Sequence, residues 1–259
     1  MQTYLAVTPE HLETALRYTN RVAHVAYRID NSGALFCCEL SPQVKGGVMV
    51  LCDEDGCAIE DPAALCKAVW RECAARGFGG VVADFEHPYS EGFCGFLNML
   101  CGVLRRNGRQ LFVPESYGCE VKGAIVLICT AISGGTLRER LEEAKGKFGG
   151  RVALDLQRVR MEFSLPCPTG EGCAITGETL CEFLREDVKV FFSEDLCAKY
   201  FVRICGCEPR FVLFDDAQTL RRKMRLAQGM GISTAFIMYP EVEDIMPELW
   251  GQNLQHSKQ

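Results

Sequence analysis

The chain has 259 residues, of which 48% are apolar and 24% are charged. This composition is that of an ordinary globular protein, and it excludes collagen-like, coiled-coil and disordered chains. The 28 basic and 34 acidic residues give a formal net charge of −6. Because such a chain lacks the basic surface that neutralises many phosphates, nucleic acid is not an expected partner.

Short β-prone runs alternate with helical patterns from one end of the chain to the other. Eight of these runs predict strands, at 4–7, 24–29, 47–52, 80–85, 111–113, 124–129, within 152–163 and at 233–238. The helical patterns between them lie at 61–76, 93–106, 136–147, 178–185 and 215–228. Two helix starts carry clear signals, which are Asp61 followed by Pro62 and a capping box formed by Thr136 and Glu139.

The alternation of strands and helices predicts the fold class. Apolar strands separated by helices are typical of a parallel sheet, and eight such units predict an α/β protein with a (β/α)8 TIM barrel over 1–259. A doubly wound sheet is the alternative, but residues 7–10 lack the glycine-rich loop that usually follows its first strand. The segment 164–209 interrupts the alternation, so we expect a small α+β insertion between strands seven and eight.

The sixteen cysteines form no repeated C-x-x-C pattern, and several fall within apolar runs. We therefore expect reduced thiols with a structural role. A zinc site at Cys205 and Cys207 is the alternative, but no pair of histidines has the spacing to complete it. The N-terminus has no basic segment before an apolar run, and no stretch reaches 18 apolar residues. These observations predict a cytoplasmic protein with no membrane partner, no metal and no cofactor.

Two acidic residues stand out at the end of the fourth predicted strand. Asp84 and Glu86 follow an apolar run, and catalytic groups of a barrel lie at the C-terminal ends of strands. Alternate residues share one face, so the two carboxyls lie roughly 7 Å apart along the strand. Partial burial and mutual repulsion then hold a proton on one of them, which is the condition for a general acid. Alternatively, both residues simply end the strand and pair with an arginine or a helix N-terminus.

Segments 79–86 and 211–239 carry a resemblance to a known family. Segment 79–86 resembles the fourth-strand motif D-G-x-D-x-D-x-E of family 18 glycoside hydrolases, the chitinase-like barrels. Segment 211–239 is similar to the C-terminal block of that family, an aromatic and acidic strand end followed by a helix and the eighth strand. The stretch 190–195, with Tyr200 and Phe201, is most similar to the spore-cortex-lytic and germination branch.

The resemblance implies hydrolysis of an N-acetylated glycan, such as peptidoglycan or a chitin-like polymer. In that family the sugar's own acetamido group attacks the anomeric carbon. By this resemblance Glu86 protonates the leaving oxygen, and Asp84 orients the acetamido group. The expected partner is a glycan or a small sugar ligand.

The sequence departs from the family pattern at several positions. Gly79 and Val82 stand where the motif has its first two aspartates. Thr130 follows the sixth strand, where the family commonly has Met-x-Tyr-Asp, and the tryptophan of the eighth strand is absent, with Tyr239 the nearest aromatic residue. A catalytically silent barrel that binds a glycan or a protein is therefore the alternative function. A barrel enzyme of unrelated chemistry is a third, weaker alternative.

Four further residues are candidates for substrate binding at the same rim. Tyr117 and Glu115 follow the fifth strand, Tyr239 follows the eighth, and Arg158 lies on the predicted seventh strand. Structural roles compete with these: packing for Tyr117 and a salt bridge for Arg158. His87 is predicted to be a satisfied supporting residue.

Overall fold

The computed structural model describes residues 1–38, 40–54, 57–168 and 170–251. Its strands, in chain order, are β1 (Gln2–Val7), β2 (Val22–Ile29), β3 (Leu35–Cys37), β4 (Val48–Asp53), β5 (Gly80–Asp84), β6 (Gln110–Pro114), β7 (Ile125–Cys129), β8 (Val152–Asp155), β9 (Arg160–Ser164), β10 (Cys173–Ala174), β11 (Phe191–Ser193), β12 (Ala198–Cys205), β13 (Glu208–Phe214) and β14 (Thr234–Met238). Its α-helices are α1 (Leu12–Ala15), α2 (Pro62–Arg76), α3 (Glu91–Arg106), α4 (Leu137–Phe148), α5 (Gly177–Arg185), α6 (Ala217–Gly229), α7 (Tyr239–Val242) and α8 (Met246–Trp250). Short 3₁₀ helices lie at Pro9–His11, Glu115–Tyr117 and Glu243–Ile245.

Eight parallel strands close into a ring. Their order is β1-β14-β8-β7-β6-β5-β4-β2, and β1 also pairs with β2, which closes the sheet. The short strand β3 pairs antiparallel with β2 outside the ring. Each of the eight predicted strands is present in the predicted order, so the (β/α)8 barrel is confirmed and the doubly wound alternative is wrong.

Apolar side chains fill the interior of the barrel. Alternate residues of a strand point to the same side, and Val48 and Val50 on β4 face inward together with Val82 on β5. The remaining buried residues of this cluster are Ala23, Phe112, Ala153 and Phe236. The interior of the barrel therefore contains a packed apolar core.

Helix α2 illustrates how the local sequence sets the elements around the barrel. Asp61 caps its start, since one carboxylate oxygen accepts hydrogen bonds from the N–H groups of Ala63 and Ala64 at 3.0 and 2.9 Å. The helix ends at Gly77, whose φ of +68° is easily adopted only by glycine. The predicted helix at 61–76 is confirmed with these ends.

The chain divides into two compact units. The first contains residues 1–128, 144–155 and 232–240, and it holds the barrel strands apart from the last residue of β7. The second contains residues 129–143, 156–231 and 241–251 of the described chain. In the described residues, no helix is both long and apolar enough to cross a membrane.

The second unit is built on an antiparallel sheet of five strands in the order β10-β9-β13-β12-β11. One face of this sheet packs on α5, where Leu180 meets Phe201 and Val212. The segment 152–163, for which the sequence predicts one strand, holds the barrel strand β8 and the beginning of β9 in this second sheet. The expected insertion at 164–209 starts on the last residue of β9 and ends inside β13, so the second unit extends beyond it on both sides.

Candidate active site

Asp84 is the last residue of β5, and it occupies the next inward position above the barrel core. Val82, two residues earlier, belongs to the interior cluster. Cys52 on the neighbouring strand β4 packs against the same cluster, and its Sγ lies 3.9 Å from Oδ2 of Asp84, to which it donates a hydrogen bond. Because side chains alternate along a strand, Asp84 points to the same side as Val82.

The surroundings of Asp84 disfavour its charged form. The residue is open to solvent at the end of the strand, yet enough protein surrounds it that burial raises the pKa of its carboxyl. The charges of Glu86 and Asp53 raise this pKa further, and the Cys52 hydrogen bond opposes them. Asp84 therefore keeps a proton to a higher pH than an ordinary aspartate does.

Cys52 stays a thiol beside this carboxyl. Burial raises its pKa to about 12, and the negative charges of Asp84, Asp53 and Glu86 act in the same direction. A thiol in this state is a weak hydrogen-bond donor and a poor nucleophile. What it contributes here is the hydrogen bond to Asp84.

Asp53 is a site residue that the sequence analysis did not identify. It ends β4, and its side chain is 2% exposed. Its carboxylate accepts hydrogen bonds from the backbone N–H of Glu86 at 3.0 Å and of His87 at 3.3 Å, and it pairs with Nδ1 of His87 at 2.7 Å. The available signal was its position directly after the apolar run 47–52, at the same edge of the sheet as Asp84.

Glu86 lies two residues beyond the end of β5 and is exposed. Its backbone is held by Asp53, whereas its side chain extends into solvent. Its charge is one of the causes that raise the pKa of Asp84.

The predicted sugar-binding role of Tyr117 does not agree with its position. The residue is 1% exposed, and its ring packs against Phe85 and Tyr89 with centroids 6.2 and 5.2 Å away. Its hydroxyl accepts a hydrogen bond from the N–H of Ser90 at 3.2 Å. Tyr89, whose ring lies against that of Tyr117, is 46% exposed, so a ligand can reach it.

The two remaining rim residues of the barrel unit take different positions. Tyr239 follows β14 and is buried, with its ring 5.8 Å from that of His11, so its ring is not open to a sugar. Glu115 opens the 3₁₀ helix after β6 and is half-buried. Of the aromatic residues proposed for substrate contact, neither has an exposed ring, because both lie under neighbouring side chains.

Arg158 lies between β8 and β9 and not on a strand. Its side chain is almost fully buried within the second unit. Its Nε donates to the carbonyl of Asp215 at 3.2 Å, its Nη1 donates to the carbonyl of Glu241 at 2.9 Å, and the same Nη1 pairs with Asp244. These contacts make Arg158 a structural clamp, and little of it is available for substrate.

The neighbouring positions Asp215 and Asp216 have separate roles. Asp216 caps α6 and exchanges hydrogen bonds with Thr219, as the predicted helix start requires. Asp215 is buried and pairs with Lys223 at 2.7 Å. Thr130, which stands where the resemblance expects a tyrosine, is fully buried.

Apart from the hydrogen bond of Cys52 to Asp84, the cysteines form no disulfide and no metal site in the described residues. All sixteen cysteines lie in the described residues, and no disulfide joins any of them. Cys205 and Cys207 are exposed on either side of Gly206, whose φ of +63° turns the chain between β12 and β13. Over the described ranges, no three His, Cys, Asp or Glu side chains are grouped to hold a metal ion.

Comparison with known proteins places the fold. No model of a protein family matches the sequence, and no curated protein matches it. Solved structures do match. The spore cortex-lytic enzyme SleL of Bacillus megaterium QM B1551 superposes with a TM-score of 0.69 at 15% identity, over 97% of this chain and 72% of that one.

Two further structures cover both chains almost completely. The family 18 N-acetylglucosaminidase of Paenibacillus barengoltzii matches with a TM-score of 0.69 at 13% identity, over 98% of this chain and 99% of that one. The family 18 chitinase of Cycas revoluta, solved in complex with (GlcNAc)4, matches with a TM-score of 0.66 at 10% identity, over 97% and 99%. The chain therefore has the chitinase-like barrel fold of glycoside hydrolase family 18.

Proposed function

We propose that this protein hydrolyses an N-acetylated glycan, peptidoglycan or a chitin-like polymer, with Glu86 as the acid and Asp84 as its assistant. The observation that supports it most is the inward position of Asp84 at the end of β5, within electrostatic reach of the exposed Glu86. Two carboxyls at the C-terminal end of a barrel strand are the minimum that substrate-assisted hydrolysis needs. The likeness to family 18 structures supports the choice of substrate class.

The proposed reaction uses a group of the substrate as its nucleophile. The acetamido oxygen attacks the anomeric carbon while Glu86 gives its proton to the leaving glycosidic oxygen, and the bond between that oxygen and the carbon breaks. Water then attacks the anomeric carbon, the bond between that carbon and the acetamido oxygen breaks to restore the acetamido group, and the Glu86 carboxylate takes the proton that the water releases. Because the side chain of Glu86 is exposed, the glycosidic bond of a substrate can approach it.

Asp84 is proposed to act on the acetamido group. In its ionised form, a carboxyl beside the group accepts a hydrogen bond from its N–H and stabilises the positive charge that develops on it. The thiol of Cys52 donates to Oδ2 of Asp84 and so fixes the orientation of the carboxyl. Asp84 thus has a supporting contact in this chain, although Val82 stands where the family motif has an aspartate.

A catalytically silent barrel that binds a glycan or a protein is the second candidate function. It is supported by the apolar Val82 beneath Asp84 and by the burial of Thr130, Tyr117 and Tyr239. Each missing donor at a transition state costs about 2.7–4 kcal/mol, so several losses leave little turnover.

Turnover of (GlcNAc)4 and of soluble peptidoglycan fragments, measured with Glu86→Gln, tests the proposal. We expect hydrolysis by the unmodified protein and at least a 100-fold loss in Glu86→Gln, which keeps the shape but cannot give a proton. Glu143→Gln, on an exposed face of α4, is the matched control and should keep full activity.

The alternatives give different results in the same assay. Equal turnover in Glu86→Gln and in the unmodified protein contradicts the role of Glu86. Calorimetric binding of either glycan without any hydrolysis selects the silent barrel. If the protein neither binds nor hydrolyses either glycan, the proposal of a glycan substrate is contradicted.

A further inference from the structure

We propose that Asp53 is a positioning residue for Glu86, and that it acts together with His87. This proposal rests on the proposed function of Glu86. Its structural basis is a junction between two barrel strands. The ladder between β4 and β5 ends at the pair of Cys52 and Asp84. Beyond this point the backbone of Glu86 has no strand partner in the ladder. Its N–H donates to the side chain of Asp53 instead.

The contacts of Asp53 fix three groups in succession. Its Oδ1 accepts from the N–H of Glu86, and its Oδ2 accepts from the N–H of His87. Oδ2 also pairs with Nδ1 of the His87 ring at 2.7 Å. Two consecutive peptide groups are thereby held by one carboxylate, which sets the direction in which the side chain of Glu86 leaves the backbone.

Burial and charge make this arrangement rigid. Water cannot compete for a carboxylate that is 2% exposed. Hydrogen bonds to a charged acceptor are roughly twice as strong as those between neutral groups. A group that delivers a proton must be held close to its productive geometry, and Glu86 is exposed beyond the end of the strand. Asp53 therefore supplies an orientation that the end of the strand does not.

The mode of action predicts different effects for related variants. Asp53→Asn keeps one acceptor oxygen but presents an amide donor to the donors of His87. Asp53→Ala removes both acceptors. His87→Asn keeps a donor near the position of Nδ1, whereas His87→Ala removes it. Asp61→Asn is the matched control, because an asparagine caps α2 as well as an aspartate does.

Amide hydrogen exchange tests the geometry without any substrate. We expect the N–H groups of Glu86 and His87 to be protected in the unmodified protein and in Asp61→Asn. In Asp53→Ala both should exchange at least 10-fold faster, and in Asp53→Asn the N–H of His87 should do so. Protection that persists in both Asp53 variants overturns the proposal, and this result does not depend on whether the protein is an enzyme.

Kinetics with (GlcNAc)4 then test positioning against a general structural role. We expect Asp53→Asn and His87→Ala to lower kcat about 10- to 100-fold with little change in KM, and His87→Asn to restore most of the loss. Urea unfolding checks that each variant is folded. Unchanged kcat in a variant whose Glu86 amide has lost protection overturns the proposal. If the unmodified protein shows no turnover, the proposed function fails while the exchange result still decides whether Asp53 holds Glu86.

Discussion

Asp215 and Lys223 form an ion pair inside the second unit, with Nζ of Lys223 at 2.7 Å from Oδ2 of Asp215 and side chains 0% and 1% exposed. Asp215 also accepts hydrogen bonds from the N–H of Val159 and the hydroxyl of Thr219. Lys223 donates a second bond to the carbonyl of Thr130. The pair thus joins the end of β13, helix α6 and the segment after β7, and both charges stay buried because their hydrogen bonds are satisfied.

Removal of the lysine should strongly destabilise the protein. Lys223→Met leaves the Asp215 carboxylate buried without its counter-charge, and breaking a buried pair in this way costs roughly 3–5 kcal/mol. Urea unfolding at pH 7 measures the loss. Lys199→Met is the control, since Lys199 pairs with Asp216 where both side chains are partly exposed, and such pairs contribute about 0–1 kcal/mol. Equal losses in the two variants would contradict this account of the buried pair.

Alanine substitutions of Tyr117 and Tyr89 should distinguish a residue that packs in the interior from one that lies at the surface. Truncating a buried aromatic ring costs roughly 3–5 kcal/mol, so we expect a loss of this size for Tyr117→Ala. Tyr89→Ala removes an exposed ring and its contact with Tyr117, which costs about 0.5–1.5 kcal/mol. Thermal or urea unfolding gives both values. In a calorimetric titration with (GlcNAc)4, only Tyr89→Ala is expected to weaken binding while the fold is intact; the reverse pattern would restore Tyr117 as the sugar contact.

The barrel could be predicted because its strands have a recognisable local sequence pattern. Runs such as 47–52 and 80–85 are apolar, short and bounded by turn residues, and each becomes a strand of the ring. The cap signals at Asp61 and Thr136 also marked true helix starts. Inward projection of Asp84 followed from the alternation of side chains, which needs no tertiary information.

The supporting residues of the site could not be predicted in the same way. The role of Asp53 depends on contacts with Glu86 and His87 more than thirty residues away, and no local pattern specifies such a partner. Arg160 lies within the predicted seventh strand, but it opens β9 because its segment pairs with β13 in a different sheet. Burial of Tyr117 depends on Phe85 and Tyr89, so the local sequence of a tyrosine at a strand end does not distinguish a buried ring from an exposed one.

Arg158→Lys should lower the stability of the protein and leave its KM for substrate largely unchanged. A lysine carries all its donors on one nitrogen, so it cannot place one donor where Nε meets the carbonyl of Asp215 and another where Nη1 meets that of Glu241, as the planar guanidinium does. A buried carbonyl that loses its donor costs about 1–3 kcal/mol, which urea unfolding would measure. Arg17→Lys, at an exposed ion pair, is the control and should change stability by less than about 0.5 kcal/mol. A raised KM for (GlcNAc)4 with unchanged stability would instead assign Arg158 to substrate binding.

The stability contribution of Asp84 should depend on pH, with a sign that follows from its raised pKa. Burial, with the charges of Glu86 and Asp53, disfavours the ionised carboxyl in the folded protein only. Below pH 3.8, which is the ordinary pKa of an aspartate, Asp84 is protonated and does not lower the stability of the folded protein. The cost appears as the pH rises through the folded-state pKa and is complete above it. Asp84→Asn removes that cost and keeps an oxygen for the Cys52 thiol.

We accordingly expect Asp84→Asn to unfold at a higher urea concentration than the unmodified protein at pH 7, and at about the same concentration near pH 3.5. Asp61→Asn, which keeps its helix cap, should show no such gain at pH 7. A difference between Asp84→Asn and the unmodified protein that is the same at both pH values would mean that packing, and not the charge of Asp84, separates them. If the charge of Asp84 is the cause, the stabilised Asp84→Asn variant should also lose turnover, because the proposed reaction uses the carboxyl that is held at an energetic cost in the folded protein.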